Sequence, residues 1–465
     1  MKHKIVLSII IILTSFYTVF ASGAELSAVK TSSKILLDEK EQNVTAYLVN
    51  DNNYFKLRDI AYILNGTGKN FSVDWNEKSN VISIETNQPY VAVGGETEVK
   101  DSLSQCRAIP TPSDIYIDGK KIEFTSYLIN DNNYFKLRDL GEFFDFGVDW
   151  HEAENTVLIS STSGYYDVNP ISPWDYQSKL GKGMDVDWSK TEDGKEHYNI
   201  KAAQDFKNSG VNHVRIRIKD KANSDLFLSL DKQVDDCINV GIIPIIAYQA
   251  VEFKNNPDEE NIQKVVDWWS TIAERYKDKS YLLSFDLLIE ATDALNKQPE
   301  KLNEIYERIV TEVRKTNPQR IIIISPRLRS DAQYLSELKI PSQANGYLMA
   351  EWHFYAAGPS KDNDRKLWTI GTENEKKLIT DKINYALEWQ KKTDIPTWVG
   401  AWMPGNYNDG DDYSVEEQVI FADFMTSSLV NAKIPFAVNS DTKFYDRKNN
   451  NWIDNMQPVF NIIFK

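Results

Sequence analysis

Eight short apolar runs, separated by longer stretches of helical periodicity and confined to roughly the last 290 residues, constrain the fold of this chain more than any other feature. The runs cover residues 183–186, 213–216, 242–247, 281–289, 321–325, 347–353, 396–400 and 435–438. Between them Ile262, Val265, Val266, Trp269 and Ile272 share one helical face, as do Leu302, Ile305, Ile309 and Val313, and again Ile379, Ile383 and Ala386. Ser414 and Glu417 have the spacing of a capping box ahead of Ile420, Phe421 and Phe424. An open doubly wound sheet would be announced by a glycine-rich phosphate turn after its first strand, and none is present. The expected fold class is α/β: a (β/α)8 TIM barrel over residues 178–465, with a smaller N-terminal α+β repeat domain.

That smaller domain is read from an internal repeat. The segment from Leu48 to Asp59, with its Asn-Asp-Asn-Asn-Tyr-Phe-Lys-Leu-Arg-Asp core, recurs from Leu128 to Asp139, and each copy runs on into Val-Asp-Trp at Trp75 and Trp150. The Asn-rich tetrad predicts a turn; Leu57, Ile60 and Leu64 predict a helix face. The pair, over about residues 28–162, resembles the copper amine oxidase N-terminal-like stalk domains of exported proteins. No histidine cluster of metal-binding spacing accompanies it, so the resemblance implies a spacer or envelope-adhesion module without copper. A Ser, Gly, Pro, Asn and Tyr-rich stretch at 163–177 predicts a linker.

The first residues carry Lys2 and Lys4, then an apolar run at 5–20, then Ala21, Ser22, Gly23 and Ala24, the layout of a secretory signal with the mature chain starting near Glu25. The run is short for a membrane anchor, and no later stretch approaches the roughly 18 apolar residues of a span, so a secreted protein, held at the cell envelope at most, is expected. Formal charge of −15 repels a phosphate backbone and argues against nucleic acid as a partner. Two cysteines, Cys106 and Cys237, fall in different predicted domains, so disulfides do not build the fold. No His/Asp spacing repeats as a ligand set requires, and neither metal nor cofactor is expected.

Functional residues of such a barrel sit at the C-terminal ends of its strands. Those positions hold Asp185, Asp187 and Trp188; Arg215 and Arg217; Tyr248 and Gln249; Glu290; Arg327; Glu351, His353 and Tyr355; Ala401 and Trp402; Asn439 and Asp441. Polar and aromatic groups gathered at one rim suit a sugar ligand, whose flat C–H faces stack on aromatic rings.

Four of these segments resemble glycoside hydrolase family 5. The Gly-Val-Asn-His-Val-Arg-Ile-Arg run ending at Arg217 is similar to the family's second strand and puts Arg215 beside the catalytic carboxylates. The run ending at Glu290 is similar to the fourth, which implies the acid/base there. Glu351-Trp-His-Phe-Tyr355 resembles the sixth, with its His-x-Tyr at His353 and Tyr355. Pro396-Thr-Trp-Val-Gly-Ala401 looks like the seventh, which normally ends in Gly-Glu. The resemblance implies a cellulase-like hydrolase of a β-linked polysaccharide.

Two departures qualify it. Ala401 stands where the family has its glutamate nucleophile, and Ile289 where it has asparagine before the acid/base. A retaining mechanism needs two carboxyl groups about 5–5.5 Å apart, and alanine cannot attack an anomeric carbon. Three arrangements stay open. Glu290 as acid with Glu351 as base would invert at a spacing of roughly 6.5–9.5 Å. Tyr355 or His353 could act as nucleophile, or as base of a lyase on a uronic polymer whose carboxylate Arg215, Arg217 and Arg327 neutralise. Or the barrel binds sugar and does not cut it. Trp402 is expected as a sugar platform, with Tyr248, Asp187 and Asp441 as further sugar contacts.

Overall fold

The computed structural model describes residues 26–98, 104–356, 366–405 and 413–465, and divides into two compact units between Ser163 and Gly164. The expected signal at 1–24 lies outside the described residues. Among the described residues no helix is long and apolar enough to cross a membrane.

In the N-terminal unit the two repeats interleave. Each folds its turn into a tight hairpin, with Asn50 and Asp51 in one copy and Asn130 and Asp131 in the other at positive φ. A two-residue hairpin turn whose twist matches the strands needs that conformation, and Asn and Asp tolerate it best. Six antiparallel strands close into a small barrel, in which Asn52–Lys56 of the first repeat pairs with Asn132–Lys136 of the second and Leu26–Lys30 pairs with Gln105–Pro110. Two flanking sheets are completed by exchange: Val81–Thr86 takes Asp114–Ile117 as a parallel neighbour, and Thr156–Ser160 takes Lys34–Leu37. Phe55 and Phe135 sit opposite each other fully buried, and Phe71 stacks on Phe144 at 4.1 Å. The predicted helix is present at Leu57–Ile63, with Leu57, Ile60 and Leu64 buried.

The C-terminal unit is a closed barrel of eight parallel strands: Lys182–Val186, His213–Ile218, Ile243–Tyr248, Ser284–Asp286, Ile322–Ile324, Leu348–Tyr355, Thr397–Met403 and Phe436–Val438, the last pairing back to the first. Strand side chains alternate. Outward ones such as Val214, Ile216, Ile246, Trp352 and Val399 pack on the helices; inward ones near the strand starts, among them Ile245, Ile323, Met349 and Trp398, form an apolar floor. Residues 163–177, expected as a linker, are instead largely helical and belong to that floor. Ser172 caps the helix Pro173–Leu180, and its Tyr176 and Leu180, four apart, plug the open end of the barrel. The Tyr176 hydroxyl donates to Ser284 Oγ at 2.8 Å. Loop-like composition concealed a helix because Pro at its first position and Ser at its cap are also turn residues.

Candidate active site

Above the floor the inward layer turns ionic. Asp185 and Arg215 are register partners on strands one and two, and the bidentate pair they form (2.8 and 2.6 Å) is fully buried. The other edge of the Arg215 guanidinium meets Asp286 at 3.1 Å and Glu351 at 2.9 Å. Three carboxyl groups thus converge on one buried cation. Burial, together with the charge of Glu351, pushes Asp286 well above the ordinary carboxylate range. Arg217, one inward step further up, holds Asp187 at 2.7 Å.

Glu351 reaches Arg215 through a gap in strand seven. The pairing of strands six and seven slips there: Trp352 faces Val399 while His353 faces Ala401, which leaves Gly400 as an extra, bulged residue. A Cβ on Gly400 would run into the Glu351 carboxylate and lie 2.9 Å from His353 Nε2. Ala401 occupies the inward position beside His353, with no functional atom to offer.

Glu290 stands at the mouth. Its backbone is left-handed, with φ of 57°, where strand four turns into its loop. Such backbone strain is concentrated at sites that must aim a side chain. His353 Nδ1 lies 3.0 Å from Glu290 Oε1, and Arg329 donates to Oε2 at 3.2 Å. The Glu290 side chain is 18% exposed, whereas Glu351, Asp185 and Asp286 have no exposure. Burial opposes its charge, but His353, Arg329 and Lys254 outweigh burial and hold its pKa at about 2. On the other face of the imidazole, Nε2 lies 3.5 Å from Glu351 Oε2. Burial disfavours the imidazolium, yet Glu351 and Glu290 raise His353 to about 9. The resting pair is therefore carboxylate and imidazolium. Tyr355 sits edge-on to His353 and accepts from Asn439 Nδ2 at 3.3 Å; burial and the neighbouring Glu290 and Asp185 push its pKa well up, so its hydroxyl keeps its proton.

Of the residues expected at the site, Arg215, Arg217, Glu290, Glu351, His353 and Tyr355 converge, and four others do not. Trp402, one step after the inward Ala401, points outward and is buried against Phe421 and Phe436. Tyr248 also points outward, stacked on Trp268 at 3.9 Å. Arg327 leaves the barrel to pair with Glu337 at 2.6 and 2.9 Å and to lie over Tyr334. Asp441 is buried in a fork with Arg447. Asp187 lies at the edge, engaged by Arg217 and Lys190. Strand parity would have revealed Asp286, which shares its phase with Glu290. Nothing in the sequence pattern marks Arg329, because the loop delivering it runs through three consecutive left-handed residues, Leu328, Arg329 and Ser330.

Residues 176–437 match the family described as Cellulase (glycosyl hydrolase family 5). Endoglucanase H of Acetivibrio thermocellus is 26% identical over 262 residues, which is 51% of this chain and 27% of that protein. A β-xylosidase of Phanerodontia chrysosporium is 19% identical over 225 residues, 43% of this chain and 46% of that one. The chain thus spans less than half the length of either relative. Among solved structures, endoglucanase Cel5A of Thermotoga maritima superposes with a TM-score of 0.55 at 22% identity, over 63% of this chain and all of that one. The cellulose synthase subunit Z of Clostridioides difficile does so at 0.54 and 20%, over 62% of this chain and all of the other. These likenesses show the barrel fold.

Proposed function

The chain belongs to glycosyl hydrolase family 5, the cellulase family, and from that premise we propose that it hydrolyses O-glycosidic bonds of a β-linked polysaccharide through a site centred on Glu290. The observation that carries this reading is the Glu290–His353 pair: of the two carboxylates that flank the protonated imidazole, Glu290 is the one that opens to the rim. When substrate displaces water and Arg329 from Glu290, the carboxylate takes the imidazolium proton and passes it to the leaving oxygen. Water then adds to the anomeric carbon, because Ala401 supplies no nucleophile, and the proton it loses returns through the Glu290 carboxylate to the His353 imidazole, restoring the resting pair. Glu351, with no exposure and with the His353 ring between it and Glu290, is a positioning residue in this scheme. Tyr355 acts as a hydroxyl donor to sugar.

The apolar leader read in the sequence supports an exported protein, and the N-terminal unit then serves as its spacer or envelope-adhesion module. Residues 25–465, incubated with β-glucans, mannans, uronic polymers and cell-wall glycans, are expected to release new reducing ends from one of them. Glu290→Gln is expected to lower kcat by roughly 10²–10⁴-fold. A second reading, a carbohydrate-binding barrel that does not cut, is favoured by Ala401 and by the occupation of both Glu290 oxygens by His353 and Arg329. Binding without cleavage of any polymer selects that reading, and unsaturated products would select a lyase.

A further inference from the structure

Two grooves of the N-terminal unit have matching linings, each built across both repeats. One, of about 330 Å³, is lined by Lys56, Arg58, Trp75 and Asn80 of the first repeat with Asp131 and Asn132 from the hairpin of the second. The other, of about 640 Å³, is lined by Lys136, Arg138, Trp150 and Asn155 of the second repeat with Asp51 and Asn52 from the hairpin of the first. Position by position, it is one groove made twice.

Folding accounts for much of this duplication, but not for the indoles. The Asn-Asp pairs are required by the hairpin turns, and Leu57 and Leu137 by the core. Trp75 and Trp150 sit at equivalent places, opposite Ile82 and Val157 on the neighbouring strands, and remain 47% and 39% exposed. A single exposed apolar residue needs no explanation. Two in matching concave surroundings, each ringed by amides, carboxylates and cations, have the composition of a site in which an apolar face is recognised and hydroxyls are counted.

The geometry points to these grooves as a matched pair of binding sites for pyranose chains of a β-linked polysaccharide. Each indole gives a flat platform to the C–H face of a sugar, and the Asn, Asp, Lys and Arg side chains exchange hydrogen bonds with its hydroxyls. The choice of ligand class rests on the reading of the barrel as polysaccharide-processing; the pairing of the grooves does not. Two sites on one unit hold a polymer by avidity, since the second contact forms at high effective concentration once the first is made. Cellulose and the amino-sugar wall glycan present the same ring chemistry.

The test uses residues 25–465 in two arms, retention on insoluble cellulose and retention on isolated peptidoglycan. Trp75→Ala or Trp150→Ala is expected to weaken retention on the order of tenfold or more through loss of avidity. The double variant should fall to background, and Trp75→Tyr with Trp150→Tyr should restore retention. The arm in which this pattern appears identifies the source of the glycan. Retention of the double alanine variant equal to the parent, with its circular dichroism unchanged, overturns the proposal, and so does a parent chain that neither polymer retains. Release of reducing ends from soluble oligosaccharides reports on the barrel separately, and it is expected to be equal in parent and double variant.

Discussion

The Glu351 carboxylate fills the space that a side chain on Gly400 would take. The bulge in strand seven is thus what lets a strand-six carboxylate reach Arg215. Gly400→Ala is expected to expel Glu351 from the guanidinium and leave buried charge unpaired, at a cost of about 3 kcal/mol or more. Denaturant unfolding measures it, and a loss under about 1 kcal/mol would mean that the carboxylate relocates freely.

Charge on the Glu290–His353 pair makes stability depend on pH from both sides. His353, raised to about 9, stabilises the fold fully below the ordinary imidazole value of 6.5 and loses that contribution as pH rises through about 9. Glu290, lowered to about 2, contributes above its ordinary value of 4.5 and loses the contribution as pH falls toward 2. The melting temperature is therefore expected to plateau between about pH 4.5 and 6.5 and to fall on either side. His353→Gln should flatten the alkaline fall between pH 6.5 and 9; an unchanged alkaline limb would place the responsible group elsewhere.

Arg329 reaches Glu290 from a side chain that is 37% exposed, so the pair is screened by water and contributes about 0–1 kcal/mol to stability. Its effect is expected in titration instead. Arg329→Ala should move the Glu290 pKa upward from about 2 toward the ordinary range. Carboxyl carbon NMR reads the shift directly, and a titration unmoved by the substitution would assign the depression to His353 and Lys254.

Trp402 was expected to cradle sugar and instead packs between Phe421 and Phe436 with no exposure. Trp402→Ala is expected to cost roughly 3–5 kcal/mol in stability. Measured at a temperature where the variant is folded, KM for the polymer should stay unchanged; a rise in KM without loss of stability would return the residue to the sugar path.

Much of this is legible in the sequence, because parallel strands buried on both faces must be apolar and their ends must not be. The eight runs announce the barrel, and Arg215, Glu290, His353 and Tyr355 announce its mouth. What stayed hidden lies where alternation breaks. The phase of Ala401 and Trp402 turns on the bulge at Gly400, which appears in sequence as an ordinary strand glycine. Arg327 and Arg329 are two residues apart in a loop, and three left-handed residues decide which of them faces Glu290. The helix at Pro173–Leu180 hides in composition typical of a linker.

In the N-terminal unit, each half donates the strands that finish the other's sheets. A chain cut between the halves would present unsatisfied edges on its small barrel and on its flanking sheet, and could quieten them only by recruiting a second molecule. Duplication has made that assembly intramolecular, so stoichiometry no longer governs whether the unit folds, and what disrupts one half exposes the other.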